Sequence, residues 1–132
     1  MESKTREFVR RRAGNQCEYC RLSQIAAPFF TFHVEHVRAK QHSGGDDQEN
    51  LAFACPDCNR FKGPNLSAID PATEAIVPVF NPRTESWDEH FKFMGDEIVG
   101  RTPVGRATVA LLKMNATTRR EMRSELSRNG DL

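Results

Sequence analysis

The sequence predicts a small α+β protein, and three observations support that fold class. Two apolar runs rich in β-branched and aromatic residues, at 28–37 and 51–54, are typical of short strands. Two C-x2-C pairs, at 17–20 and 55–58, enclose these runs and can tie their ends together. Apolar residues at helical spacing precede the first pair, at 4–13, and cap signals indicate two helices in the C-terminal third of the chain. We therefore expect a strand-containing core with an N-terminal helix and a C-terminal hairpin and helices.

Length and composition indicate one domain over residues 1–132, with a core at 17–63 and a C-terminal extension at 64–132. Only 38% of the residues are hydrophobic, so the core is modest and a bound structural metal would help to stabilise it. No apolar run approaches the roughly 20 residues of a membrane span. The basic N-terminus is not followed by an apolar signal segment. We expect a cytoplasmic protein that does not interact with membranes, whose paired cysteines hold metal rather than form disulfides.

The first half of the chain alternates helix, strand and loop signals. In order, we predict a helix at 4–13, a strand at 28–37, a long polar loop at 38–50, a strand at 51–54 and a helix from Pro56 to Gly63. A loop as long as 38–50 is commonly functional when it is ordered.

The second half reads as a hairpin followed by two helices. A connector at 64–75 leads to an edge strand at 76–80 that contains a proline. Strands at 87–93 and 97–99 flank a turn at Met94-Gly95-Asp96. Thr102-Pro103 opens a helix that runs to Met114, and a capping box at Thr118–Glu121 opens the last helix, which ends at Asn129-Gly130.

The net charge of +1 says little about partners, but the charges are unevenly distributed. Residues 4–12 hold five basic residues against one acidic residue, and residues 101–132 hold seven against three. Residues 35–57 hold five acidic residues against two basic ones. Two basic ends around an acidic middle suit phosphate-binding arms around a cation site, although solvated helix faces explain the basic ends equally well.

The four cysteines, Cys17, Cys20, Cys55 and Cys58, account for every thiol in the chain. Two residues between thiolates allow both sulfurs of a tight turn to reach one ion, and zinc binds four such ligands tetrahedrally in closed structural sites. A disulfide set and a redox C-x-x-C are the alternatives; the compartment disfavours the first and the duplicated motif the second. We expect one structural Zn²⁺ that tethers the inserted segment from Glu35 to Asn50.

Residues between and beside the cysteine pairs have the chemistry that phosphodiester hydrolysis needs. A histidine can activate water, and we predict His36 in that role. Glu35 and Asn59 supply oxygen ligands for a catalytic Mg²⁺ or Mn²⁺, a cation that keeps several of its waters. Asn50 is expected to hold the polar loop by side-chain hydrogen bonds to backbone and so to fix the imidazole.

Other polar residues of this segment are rival or supporting candidates. His33 shares a strand face with Glu35 and is an alternative cation ligand, whereas His42 in the loop is expected to be exposed. Lys62, three residues after Asn59 on one helix face, and the basic loop residues Arg38 and Lys40 are candidates for phosphate contacts.

Glu35-His36, Asn50 and the segment Cys55-Pro-Asp-Cys-Asn59-Arg-Phe-Lys62 resemble the HNH endonuclease family. The resemblance spans Cys17 to Gly63 and implies a ββα-metal nuclease core with a separate four-cysteine zinc. It implies that His36 is the general base, Asn50 the central asparagine and Glu35 a ligand of the catalytic cation, and that the activity is nicking or cutting of DNA. Asn59 departs from the histidine that the family often has at that position.

The residues after the core also look similar to the tail of a bacterial subgroup of that family, at Phe80–Arg83, Trp87, His90-Phe91 and Gly100–Ala107. His90 in this stretch is either a residue near phosphate or, as we expect, a packing residue. The alternatives to an endonuclease are a non-catalytic zinc-ribbon nucleic-acid-binding module and a zinc module for protein interaction. Glu35-His36 with Asn50 argues against both, because neither needs these residues.

Overall fold

The structure, a computed structural model, describes residues 1–130. In that range the helices are α1 (Ser3–Arg12), α2 (Pro56–Lys62), α3 (Trp87–His90), α4 (Pro103–Leu111) and α5 (Thr117–Arg128). The strands are β1 (His33–His36), β2 (Leu51–Ala54), β3 (Ser67–Ile69), β4 (Ile76–Pro78), β5 (Phe91–Met94) and β6 (Glu97–Gly100). Over residues 1–130 the strands pair as three two-stranded antiparallel sheets, β1 with β2, β3 with β4 and β5 with β6. The predicted α+β class is confirmed.

The region that carries the sequence motifs is the antiparallel pair β1–β2 followed directly by α2. His33 lies opposite Ala54 and His36 opposite Leu51. All four residues of β2 are buried, so this strand is the centre of the region. Cys55 caps α2, because its Sγ accepts a hydrogen bond from the Cys58 amide at 3.4 Å. The chain therefore turns from strand to helix within one residue.

Helix α1 packs against both strands of this pair. Its Val9 is fully buried, as the helical spacing of apolar residues in the sequence requires. At the end of the helix, the Arg12 guanidinium donates hydrogen bonds to the carbonyl oxygens of Gln48, at 2.9 Å, and Leu51, at 2.6 Å. Helix α1 thus holds the end of the polar loop where it enters β2.

The C-terminal extension packs onto the first half through aromatic residues. Trp87 donates its indole N–H to the Tyr19 carbonyl at 2.8 Å, and Phe80 meets the Tyr19 ring edge-on at a centroid distance of 6.4 Å. Phe91 is fully buried against Phe80 and Trp87. These contacts join residues on both sides of residue 64 into one hydrophobic cluster.

Helix α4 anchors the strands of the extension. Thr102 caps it as predicted, accepting a hydrogen bond from the Gly105 amide at 3.0 Å. A Cβ atom at Gly105 would lie 2.0 Å from the His90 carbonyl oxygen, so only glycine fits there. The Arg106 guanidinium forms two hydrogen bonds, of 3.0 and 2.8 Å, with the carboxylate of Asp70 in the turn between β3 and β4. This pairing lowers the pKa of Asp70 to about 2.

Two predicted strands differ in extent from those in the structure, and one strand was not predicted. The strand predicted at 28–37 forms only as β1, because its partner β2 ends where Cys55 begins the cap of α2 and leaves residues 28–32 without a partner. The residues from Trp87 to His90 form the helical turn α3 instead of a strand. The connector predicted at 64–75 contains β3, which pairs with the strand predicted at 76–80.

The helix ends differ more modestly from the prediction. Helix α4 ends at Leu111, before the predicted Met114. The predicted capping box is wrong, because α5 begins at Thr117 with Ala116 at the cap position and no side-chain cap, which places Thr118 inside the helix. The predicted end of α5 is confirmed, with Asn129 at the C-cap and Gly130 at a φ of +75°. None of the helices in the part of the chain that the structure describes has the length and apolarity of a membrane span.

Candidate functional site

The four cysteines lie together as predicted, with their sulfurs within 4.8 Å of one another and all four residues buried. Sγ of Cys20 lies 3.7 Å from Sγ of Cys55, too far for a disulfide bond. Zinc–sulfur bonds of about 2.3 Å place tetrahedral sulfurs about 3.8 Å apart. Burial raises the pKa of the Cys17 and Cys58 thiols, and a bound cation would offset this by stabilising their thiolates. The cluster suits a structural Zn²⁺.

His36 ends β1 and lies at the start of the polar loop of residues 38–50. Its Nε2 is 2.7 Å from Oδ1 of Asp46, and the Lys40 ammonium lies 3.5 Å from the same oxygen. These two neighbours, His36 first, lower the pKa of Asp46. Asp46 is absent from the predicted site, because its distance along the chain from His36 shows nothing about this contact. The only sequence signal for it is an acidic residue next to Gly44-Gly45.

Asn50 closes the 38–50 loop from the other end. Its Oδ1 accepts a hydrogen bond from the Arg38 amide at 2.9 Å. Its Nδ2 donates to the carbonyl oxygens of Arg38, at 3.0 Å, and Gly45, at 2.7 Å. A Cβ atom at Gly44 would lie 1.7 Å from the Arg38 carbonyl oxygen, so the loop can close only with glycine at that position. The side chain of Asn50 thereby ties Arg38, two residues after His36, to Gly45, which directly precedes Asp46.

Glu35 faces the interior and takes part in a buried polar network. It is 7% exposed, and its Oε1 accepts a 2.5 Å hydrogen bond from the Tyr19 hydroxyl. Its Oε2 lies 3.1 Å from the Lys62 ammonium, which also donates to the carbonyl oxygens of His36, at 3.1 Å, and Val37, at 2.9 Å. Burial raises the pKa of Glu35, and the neighbouring Lys62 and Tyr19 oppose that rise. Tyr19, which lies between two cysteine ligands, was not foreseen from the sequence.

Lys62 is 1% exposed, so its predicted contact with phosphate does not fit this structure. The face of α2 that carries Lys62 packs against β1, and the ammonium supports the backbone under His36. Asn59, one turn earlier, is half-buried, and no hydrogen bond within residues 1–130 involves its side chain. Arg38 and Lys40 are exposed, as phosphate contacts require.

The structure also gives the positions of the other three histidines. His42 is exposed, as predicted, and His33 is exposed at the start of β1. His90 is buried between Glu85, 3.1 Å from its Nε2, and Thr102, 2.6 Å from its Nδ1. It packs against Phe80, which fits the expected packing role. The structure thus brings His36, Asn50 and Asp46 together around the 38–50 loop and places Glu35 and Lys62 in the interior.

The model of the HNH endonuclease family matches residues 17–65. These residues make up about a third of the chain and include both cysteine pairs, β1, β2 and α2. No curated protein and no solved structure matches the chain.

Proposed function

Because residues 17–65 form an HNH endonuclease domain, we propose that this protein is a metal-dependent endonuclease that hydrolyses DNA phosphodiester bonds. The observation that supports this most directly is the placement of His36. It is a partly exposed imidazole with a carboxylate partner, at the end of a strand fixed on one side by the 38–50 loop and on the other by Lys62. A module that only binds nucleic acid has no need of a histidine held in this way.

In this proposal His36 is the general base. A carboxylate oxygen can only accept a hydrogen bond, so the contact with Asp46 assigns the imidazole proton to Nε2 and leaves Nδ1 free to accept a proton from water. Asp46 then orients the ring and stabilises the imidazolium that forms. Asn50 holds the loop that carries Asp46, so these three residues work as one unit.

Asn59 and Glu35 are the proposed ligands of the catalytic Mg²⁺ or Mn²⁺. The amide of Asn59 fits this role, because its oxygen is a hard ligand without an internal hydrogen-bond partner in residues 1–130. The carboxylate of Glu35 already has an ammonium group as its cation, so a metal ion held there has to displace Lys62. When bound, such a cation stabilises negative charge on the phosphate and the leaving oxygen.

Exposed basic side chains around the site are the proposed contacts to the DNA backbone. Arg38 and Lys40 lie on the 38–50 loop, and α1, whose Arg12 contacts that loop, carries the exposed Arg6 and Arg11. Phosphate contacts of this kind position the strand without reading its sequence. Binding should accordingly weaken steeply as the salt concentration rises.

The deciding experiment is cleavage of supercoiled plasmid by His36→Ala, with His42→Ala as the matched control. Loss of a general base lowers the rate about 10²–10⁴-fold, whereas His42 is exposed and makes no hydrogen bond through its side chain within residues 1–130. Both variants should retain zinc and bind DNA like the parent protein. A His36→Ala protein that cleaves as fast as His42→Ala would refute the proposal. DNA binding without any cleavage by the parent, at any Mg²⁺ or Mn²⁺ concentration, would favour the zinc-ribbon binding module.

A further inference from the structure

The C-terminal helix α5 lies outside the residues that the family model matches, yet it contacts the cysteine cluster. Arg119 is 8% exposed, and its Nη2 lies 3.1 Å from Sγ of Cys58 and 3.7 Å from Sγ of Cys55. Arg123, one turn further along the helix, is 4% exposed. The buried guanidinium of Arg119 at a cluster of thiols needs an explanation, because an unpaired buried charge is strongly unfavourable.

The hydrogen bonds of Arg119 to groups other than cysteine do not supply that charge, whereas Arg123 has the Asp96 carboxylate as a charged neighbour. Arg119 donates to the Leu112 carbonyl at 2.6 Å, and Arg123 donates to the carbonyls of Met114, at 2.6 Å, and Asp96, at 2.7 Å. These carbonyls fix the position of each guanidinium but carry no net charge. The closest carboxylate to Arg119 is that of Asp57, whose Oδ2 lies 3.8 Å from Nε. The Cys55 and Cys58 sulfurs lie closer to the Arg119 guanidinium than this carboxylate does.

A zinc ion with four thiolates carries a net charge of −2, since four negative ligands outweigh the divalent cation. The Arg119 guanidinium carries +1. We propose that Arg119 forms part of the zinc centre. It offsets half of that charge, and its N–H···S bonds make the Cys55 and Cys58 thiolates poorer nucleophiles and slow the loss of zinc. The docking of α5 then depends on the metal, which links the C-terminal extension to the HNH domain. This inference is independent of the proposed cleavage reaction.

The proposal is tested by the rate at which zinc leaves the folded protein. Purified Arg119→Gln is treated with a thiol-alkylating reagent such as N-ethylmaleimide, and the released zinc is followed with a chromogenic indicator. Groups that hydrogen-bond to metal ligands typically change metal affinity about 10–100-fold. We therefore expect release at least tenfold faster than in the parent. The matched control is Arg120→Gln, the next residue of the helix, which contacts Asp96 and not the cysteines.

A second control separates charge from packing. Leu126→Ala weakens the buried side of α5 without removing a charge. If Leu126→Ala releases zinc as fast as Arg119→Gln, or if Arg119→Gln matches Arg120→Gln, the proposal is overturned. If Arg119→Gln does not fold, Arg119→Lys replaces it, since lysine keeps the charge and loses the planar donor geometry. Zinc release from Arg119→Lys that is faster than from both Arg120→Gln and Leu126→Ala supports the proposal, and release no faster than from either control overturns it.

Discussion

The zinc centre and the 38–50 loop belong to the same short stretch of the chain but differ strongly in their exposure to solvent. Every cysteine of the centre is buried, and its four sulfurs come from two segments that are far apart in the sequence. The loop is mostly exposed, and the side chain of Asn50 supplies its main polar ties. The difference shows how a small core can carry an exposed loop: the buried cysteine cluster joins distant segments, so the loop needs few apolar contacts of its own. Substitutions in the two regions should therefore have separable effects.

The largest effect is expected for Cys58→Ser. Binding of structural zinc is worth about 10–16 kcal/mol in small zinc domains, as much as the whole stability of a typical domain. We expect the variant to be unfolded or insoluble, which zinc analysis and far-ultraviolet circular dichroism of the purified protein would show. A soluble, folded Cys58→Ser protein without zinc would mean that the centre is not the main source of stability.

Lys62→Met tests the buried polar network of Glu35, Tyr19 and Lys62, which lies between the zinc centre and the 38–50 loop. Removing one partner of a buried ion pair typically destabilises a protein by about 3–5 kcal/mol, because the other charge stays buried. Denaturant unfolding should show this loss, whereas Lys40→Met, at a lysine that is 67% exposed, should change stability little. The double variant Glu35→Gln with Lys62→Met should recover part of the loss. Equal stability of the two single lysine variants would contradict the role assigned to this network.

Asn59→Ala should affect activity and leave stability unchanged. Loss of one neutral oxygen ligand should raise the Mg²⁺ concentration needed for half-maximal cleavage, while the rate at saturating Mg²⁺ changes less. Arg60→Ala, at the neighbouring exposed residue, is the control, and zinc content must be equal in both because Cys58 is adjacent. If the Mg²⁺ titration is the same for both variants, Asn59 is not a ligand and His33 is the next candidate.

Asp46→Asn should have the smallest effect. A single hydrogen bond contributes about 1 kcal/mol, so we expect a fall in kcat of about fivefold with KM nearly constant. Asp47→Asn is the matched control, because Asp47 is equally exposed and its side chain makes no hydrogen bond in the described part of the chain. A loss as large as that of His36→Ala would instead place Asp46 among the residues that react directly.

Several parts of this arrangement could be read from the sequence because they depend on local spacing. The two C-x2-C pairs indicate that the four cysteines come together, Thr102-Pro103 indicates a helix cap, and Leu51–Ala54 indicates a short strand; all three are found in the structure. The remaining features depend on contacts between distant residues. Helical spacing places Lys62 on the face of Asn59, but it cannot show that this face packs against β1. Nothing in the sequence near Cys58 indicates Arg119, which follows it by more than sixty residues.

The single tryptophan of the chain has a practical consequence. Trp87 donates its indole N–H to the backbone of Tyr19, which is the only tyrosine and lies between two cysteines, and the Arg21 guanidinium lies 4.9 Å from the centre of the indole ring. Intrinsic fluorescence therefore comes from one place, at the first cysteine pair. Its emission provides a label-free optical signal for the state of that pair during titration with a chelator, and it requires no engineered probe.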